Sequence, residues 1–170
     1  ARYALYLNSD RFDNEDGGVE VGSTPRVIFD QAQYKNILRN DMARHDAITA
    51  ELIKFVEALS SRGIAVYIVE SIPEVGWNVP KALFLSGKHT QNVTTSHDVY
   101  KKRVLPLQSF YEKLLKIDGV TILKASEIFC DGSRCAASEN GVPFYYDSNH
   151  LSIFGAEILM KSFSKEMFVQ

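Results

Sequence analysis

Nothing in the 170 residues approaches the uninterrupted apolar run that a membrane span needs, and no signal-peptide pattern opens them. Charge of one sign is missing too: 19 Lys and Arg stand against 21 Asp and Glu, for a formal net charge of -2. That balance removes the electrostatic reason to expect a nucleic-acid partner. The longest basic run, Lys101-Lys102-Arg103, falls in a helical pattern and reads as a solvated face. No internal repeat and no low-complexity tract occurs. Cysteine is scarce: only Cys130 and Cys135 are present, and no second Cys/His pair at ligand spacing joins them, so no metal site is expected. His45, His89 and His97 show no metal-like spacing either and read as surface residues.

What is present is an ordinary globular composition, 45% hydrophobic and 24% charged, long enough for one domain with a sizeable core. The first residue is Ala1 rather than Met, and Arg2 to Leu7 already reads as a short strand. A chain that opens inside a buried strand is expected to be a fragment. From Asn8 to about Asn40 the sequence is polar and glycine-containing, with Val27-Ile28-Phe29 as a short strand. A connection of that length is a functional lid or an insertion.

A helix is predicted from about Asp41 to Arg62, with Ile48, Leu52, Phe55, Val56 and Leu59 on one face and Gly63 as its stop. Ile64 to Val69 is a nearly continuous apolar run, the pattern of a parallel strand covered on both sides. After a loop from Ser71 to Pro80, a short helical piece lies around Ala82 to Leu85. Ser96 caps a second long helix reaching about Ile117, with Val99, Leu107, Phe110 and Leu114 facing inward and Pro106 interrupting it. Val120 to Leu123 is a strand, the cysteine loop follows, and Phe144-Tyr145-Tyr146 is a short extended piece. A closing helix, about Ser152 to Phe168, is expected to bury Phe154, Ile158, Leu159 and Phe163. Strands alternating with amphipathic helices predict an α/β fold with a parallel sheet, whose sites lie beyond the C-terminal strand ends.

Chemistry concentrates in Tyr145-Tyr146-Asp147-Ser148-Asn149-His150-Leu151-Ser152. An acid three residues before a histidine, just ahead of a helix, puts both side chains on one tight turn. The carboxylate then holds one ring nitrogen and leaves the other free to take a proton from a nucleophile. Ser152 caps the helix that follows. Asp-x-x-His alone is a weak signal, and by itself it reads as a plain helix start with Asp147 or Ser152 as cap and His150 exposed. Asp131-Gly132, inside Cys130 to Cys135, is a turn signal that can bring the sulfurs together; two reduced thiols fit the same residues. Trp77, in a rim loop, suits either stacking on a sugar ring or packing. Arg2 suits a bound anion or a surface ion pair.

Taken as an ordered set, these segments resemble the SGNH hydrolases, and in particular the SGNH domains fused behind acyltransferase-3 membrane domains. Asp147-Ser-Asn-His150-Leu-Ser-x-x-Gly-Ala is similar to that family's last block. Ala1-Arg2-Tyr3, Pro73-Glu74-Val75-Gly76-Trp77-Asn78-Val79-Pro80 and Cys130-Asp-Gly-Ser-Arg-Cys135 resemble earlier ones. The resemblance implies a three-layer α/β/α flavodoxin-like fold, in this case the C-terminal portion of one SGNH domain with its first strand and helix missing. It implies Asp147 and His150 as catalytic residues, Arg2 and Trp77 at the substrate, and a Cys130–Cys135 disulfide.

The implied reaction is acyl transfer, acetyl foremost, to a cell-envelope polysaccharide such as O-antigen, from a donor delivered by an upstream membrane domain. It would take place on the periplasmic face of the bacterial inner membrane and need no cofactor. The family's nucleophile sits in Gly-Asp-Ser, a tripeptide that this sequence lacks; Ser9 is the only substitute after the first strand, and a polar loop rather than a helix follows it. The nucleophile is therefore expected outside this chain, the 170 residues are expected to be inactive alone, and Arg2 to Leu7 to be left with one unpaired edge.

Overall fold

The computed structural model describes residues 12–20, 41–86 and 92–168. The expectations for Arg2 to Leu7, Ser9, Val27 to Phe29 and His89 lie outside these residues. Two strands, β1 (Phe12–Asp13) and β2 (Val19–Glu20), form an antiparallel hairpin. Its turn is organised by buried Asn14, whose Oδ1 accepts from the amides of Asp16 at 2.9 Å and Gly18 at 2.7 Å.

Helix α1 (Asp41–Ser60) ends where Gly63 takes φ +73° and its amide reaches the Ser60 carbonyl at 2.8 Å. Strand β3 (Val66–Val69) follows. Helix α2 (Val79–Leu85) starts earlier than its sequence suggests. Asn78 caps it by accepting from the Lys81 amide at 3.0 Å, and Pro80 sits in the first turn, where no N–H is missed.

Strand β4 (Thr94–Ser96) leads into α3 (His97–Val104), a 3₁₀ turn (Leu105–Leu107) and α4 (Gln108–Leu114). The expected long helix is thus interrupted at Pro106, as its missing N–H requires, and Ser96 Oγ caps it by accepting from the Val99 amide. Strand β5 (Val120–Leu123), helix α5 (Ala125–Phe129), strands β6 (Arg134–Ala136), β7 (Ser138–Glu139) and β8 (Val142–Pro143), and helix α6 (Ile153–Phe168) complete the order.

β3 and β5 pair in parallel, Val66 opposite Val120 through Val69 opposite Leu123. Alternation along the strands divides the core. Val66, Ile68, Val120 and Ile122 pack with Val56 of α1 and Leu107, Phe110 and Leu114 of the α3–α4 segment. Tyr67, Val69 and Leu123 pack instead with Phe129, Phe144, Tyr145, Leu159 and Phe163, the last two from α6. β4 pairs antiparallel with β6, and β7 with β8. The β4–β6 pair carries Cys135, which is disulfide-bonded to Cys130.

Two core expectations are corrected. Phe55 is 63% exposed, because it lies one residue off the seam made by Ile48, Leu52 and Val56. Phe154 is 40% exposed and touches the core only by its edge toward Phe144, the ring centroids being 5.8 Å apart.

Candidate active site

The segment from Pro143 to Gly155 is folded back on itself by its own polar groups. Tyr146 N donates to the His150 carbonyl at 2.9 Å and Ser152 N to the Phe144 carbonyl at 2.8 Å. Ser152 Oγ donates to the Pro143 carbonyl and accepts from the Gly155 amide at 3.1 Å, which fixes the start of α6. Position 155 must be glycine: a Cβ there would collide with the Phe144 carbonyl.

On this turn Asp147 uses its two oxygens differently. Oδ1 accepts from the amides of Asn149 at 2.9 Å and His150 at 2.7 Å, while Oδ2 lies 2.7 Å from His150 Nδ1. Partial burial pushes the Asp147 pKa up, but the two amides and the His150 ring outweigh it and hold the carboxyl below its ordinary value. An ionised carboxylate only accepts, so Nδ1 carries the proton of this bond, and in the neutral imidazole Nε2 presents a lone pair. Among the described residues Nε2 has no hydrogen-bond partner, and the imidazole is 55% exposed. The acid therefore does more than cap the turn.

The loop from Pro73 to Val79 grips this turn from outside. Tyr145 OH donates to the Pro73 carbonyl at 2.7 Å. The amides of Val75 and Val79 donate to the carbonyls of Ser148 at 3.0 Å and Asp147 at 3.2 Å. Trp77 sits midway between those two amides. Its half-buried indole lies against Gly17 and Gly18, where a Cβ at Gly18 would come within 2.8 Å of the ring. The same indole lines a cleft of about 960 Å³ with Asn78, Lys81, Asn92, Thr94 and Arg134. Arg134 is fixed there, donating from Nε to Thr94 Oγ1 at 3.0 Å and pairing with Asp16 at 2.9 Å. Both the stacking and the packing readings of Trp77 keep a basis, since the ring packs on Gly17 and Gly18 and also lines the cleft. Arg2 and Ser9 fall outside the described residues.

Several residues near the turn carried no sequence signal. Asn149 Nδ2 donates to Glu20 Oε1 at 2.7 Å and Asn14 Nδ2 to the Val75 carbonyl at 2.8 Å, so the β1–β2 hairpin is tied to both the turn and the loop. Glu74 is buried against Arg103, correcting the expectation that the basic run is wholly a solvated face. His45 is likewise less exposed than expected, with Nε2 2.9 Å from the Pro106 carbonyl. Each of these contacts joins residues far apart in sequence, and periodicity reports none of them. A protein-family model described as an SGNH domain (fused to AT3 domains) matches residues 1–165. No curated protein and no solved structure matches the chain.

Proposed function

The chain belongs to the family of SGNH domains fused to AT3 domains, a membership that brings acyl-transfer or esterase-type chemistry, and from that premise we propose that it transfers an acyl group, acetyl foremost, to a hydroxyl of a cell-envelope polysaccharide. The observation that carries this reading is the 2.7 Å contact of Asp147 Oδ2 with His150 Nδ1, with Nε2 left open. The nucleophile is a serine outside these 170 residues, since no Gly-Asp-Ser occurs among them.

As the serine oxygen bonds the donor's carbonyl carbon, Nε2 takes the serine proton. The imidazolium, stabilised by Asp147, gives that proton to the departing donor group and leaves an acyl-serine. A sugar hydroxyl then surrenders its proton to Nε2 and attacks the same carbon; the serine oxygen leaves and is reprotonated. The cleft beside Trp77 holds the acceptor, the indole stacking on a pyranose face and Asn78, Asn92 and Arg134 meeting its hydroxyls. Arg2 is assigned to the same acceptor on the family resemblance alone.

The fold this reading assigns to the chain is the three-layer α/β/α arrangement of an SGNH domain, which the parallel β3–β5 pair with helices packed on it supports. No helix among the described residues is long and apolar enough to cross a membrane; the membrane domain that delivers the acyl group lies elsewhere in the protein, and the transfer takes place on the periplasmic face of the inner membrane.

Hydrolysis is the second reading, favoured by the exposure of the imidazole, which admits water to the acyl-serine. Acetate release by the intact protein, with and without O-deacetylated envelope polysaccharide, separates the two. Transfer predicts that added polysaccharide becomes acetylated while free acetate falls. Undiminished acetate and an unmodified glycan identify an esterase, and glycan binding without either product identifies an inactive binding module.

A further inference from the structure

Arg103 belongs to a run of three basic residues, yet its side chain is only 10% exposed and that of its partner Glu74 only 8%. Nε donates to Glu74 Oε2 at 2.9 Å, and the guanidinium carbon stands 5.5 Å from the centre of the Phe12 ring. Nη2 is buried with no hydrogen-bond partner among the described residues. As a source of stability this is a poor arrangement. Apolar side chains of similar volume fill such a site as well or better, and a buried nitrogen without an acceptor adds a penalty.

The pair's place in the structure gives it another use. Glu74 lies between Pro73, whose carbonyl receives the Tyr145 hydroxyl, and Val75, whose amide holds the Ser148 carbonyl. Phe12, under the guanidinium, opens the hairpin whose Asn14 holds the Val75 carbonyl and whose Glu20 holds Asn149. Arg103 therefore joins two elements that grip the Asp147–His150 turn from outside it. We infer that Arg103 and Glu74 are positioning residues: they set the loop and hairpin against that turn, and through it fix the ring orientation and tautomer of His150 without touching substrate.

This inference rests on the dyad reading above, and the experiment separates the two. In the intact protein, the double variant Arg103→Met/Glu74→Leu replaces the ion pair with apolar bulk. KM for O-deacetylated envelope polysaccharide is expected within about twofold and kcat lower by about tenfold, the effect of a small misplacement of a catalytic group. Arg103→Lys, which keeps the charge but only part of the fork, is expected to recover part of kcat. Selective ¹⁵N-histidine NMR is expected to find His150 protonated at Nδ1 in wild type and in mixed tautomers in the double variant.

Wild-type kcat and an unchanged His150 tautomer in the double variant, alongside an inactive His150→Ala, overturn the positioning role alone. An active His150→Ala overturns the dyad reading, and the tautomer measurement then decides whether the pair orients the ring. If the double variant does not fold, Arg103→Lys and Glu74→Gln are put to the same readouts, and unchanged kcat and tautomer in both overturn the inference.

Discussion

Asp147 is asked to satisfy two amides and one imidazole at once, and its ionisation follows from that load. Its folded pKa is lowered, so the stability it contributes is fully present above the unfolded value near ~3.9 and is lost as pH falls through the folded one. With 27% of the side chain open to solvent the contribution is modest. Thermal midpoints measured between about pH 6 and pH 3 should therefore fall more steeply in wild type than in Asp147→Asn, which has no charge to lose. Gly155→Ala should destabilise the protein by about 1–3 kcal/mol in denaturant titration, because its methyl meets a carbonyl that the turn cannot move. The Asp147–His150 contact was legible only in part: three residues of spacing make a local geometry, but that spacing also fits a plain helix start, and the ordered set of neighbouring segments was needed to single it out. Glu74 and Arg103 were not legible, since 29 residues separate them and a run of three basic side chains looks solvated whichever one of them turns inward.

Short strands and the covalent staple govern the behaviour of the elements between β5 and the dyad. The Cys130–Cys135 bond closes a loop of sequence separation 5, beside the β4–β6 pair. Within it, the amides of Arg134 and Ser133 and the Ser133 hydroxyl hold the exposed Asp131 carboxyl down to about 2. Replacing both cysteines by serine should lower stability by roughly 2 kcal/mol, the loop-closure entropy of so short a ring. Ser96→Ala should cost about 1 kcal/mol through loss of the cap on α3, both effects being read from equilibrium unfolding. The longer helices and the β3–β5 pair were legible because their apolar spacing persists over enough residues to define a period. Strands β4, β6, β7 and β8, of two or three residues each, have no period to read. The β7–β8 hairpin did carry a local sign in Asn140-Gly141, whose φ values of 50° and 78° are those its tight turn requires.

Across the whole molecule, alternate residues of one parallel pair feed two separate cores, and the second of these includes Phe144 and Tyr145, which lead directly into the dyad turn. The α/β class was readable from element order; the way the hairpin and the Pro73–Val79 loop close around the turn was not, because it depends on tertiary hydrogen bonds from Asn14, Glu20 and Tyr145. The proposed function gives acceptor binding to the cleft beside Trp77 and acyl chemistry to the Asp147–His150 pair. Trp77→Ala should accordingly raise the KM for polysaccharide by about tenfold while leaving acetate release without acceptor near the wild-type rate. The most direct measurement is the rate at which intact protein carrying His150→Ala acetylates O-deacetylated envelope polysaccharide, compared with wild type at equal folded concentration. Loss of about a thousandfold or more is the predicted result, and a rate within about threefold of wild type would contradict the imidazole's role as the base that takes the serine and sugar protons.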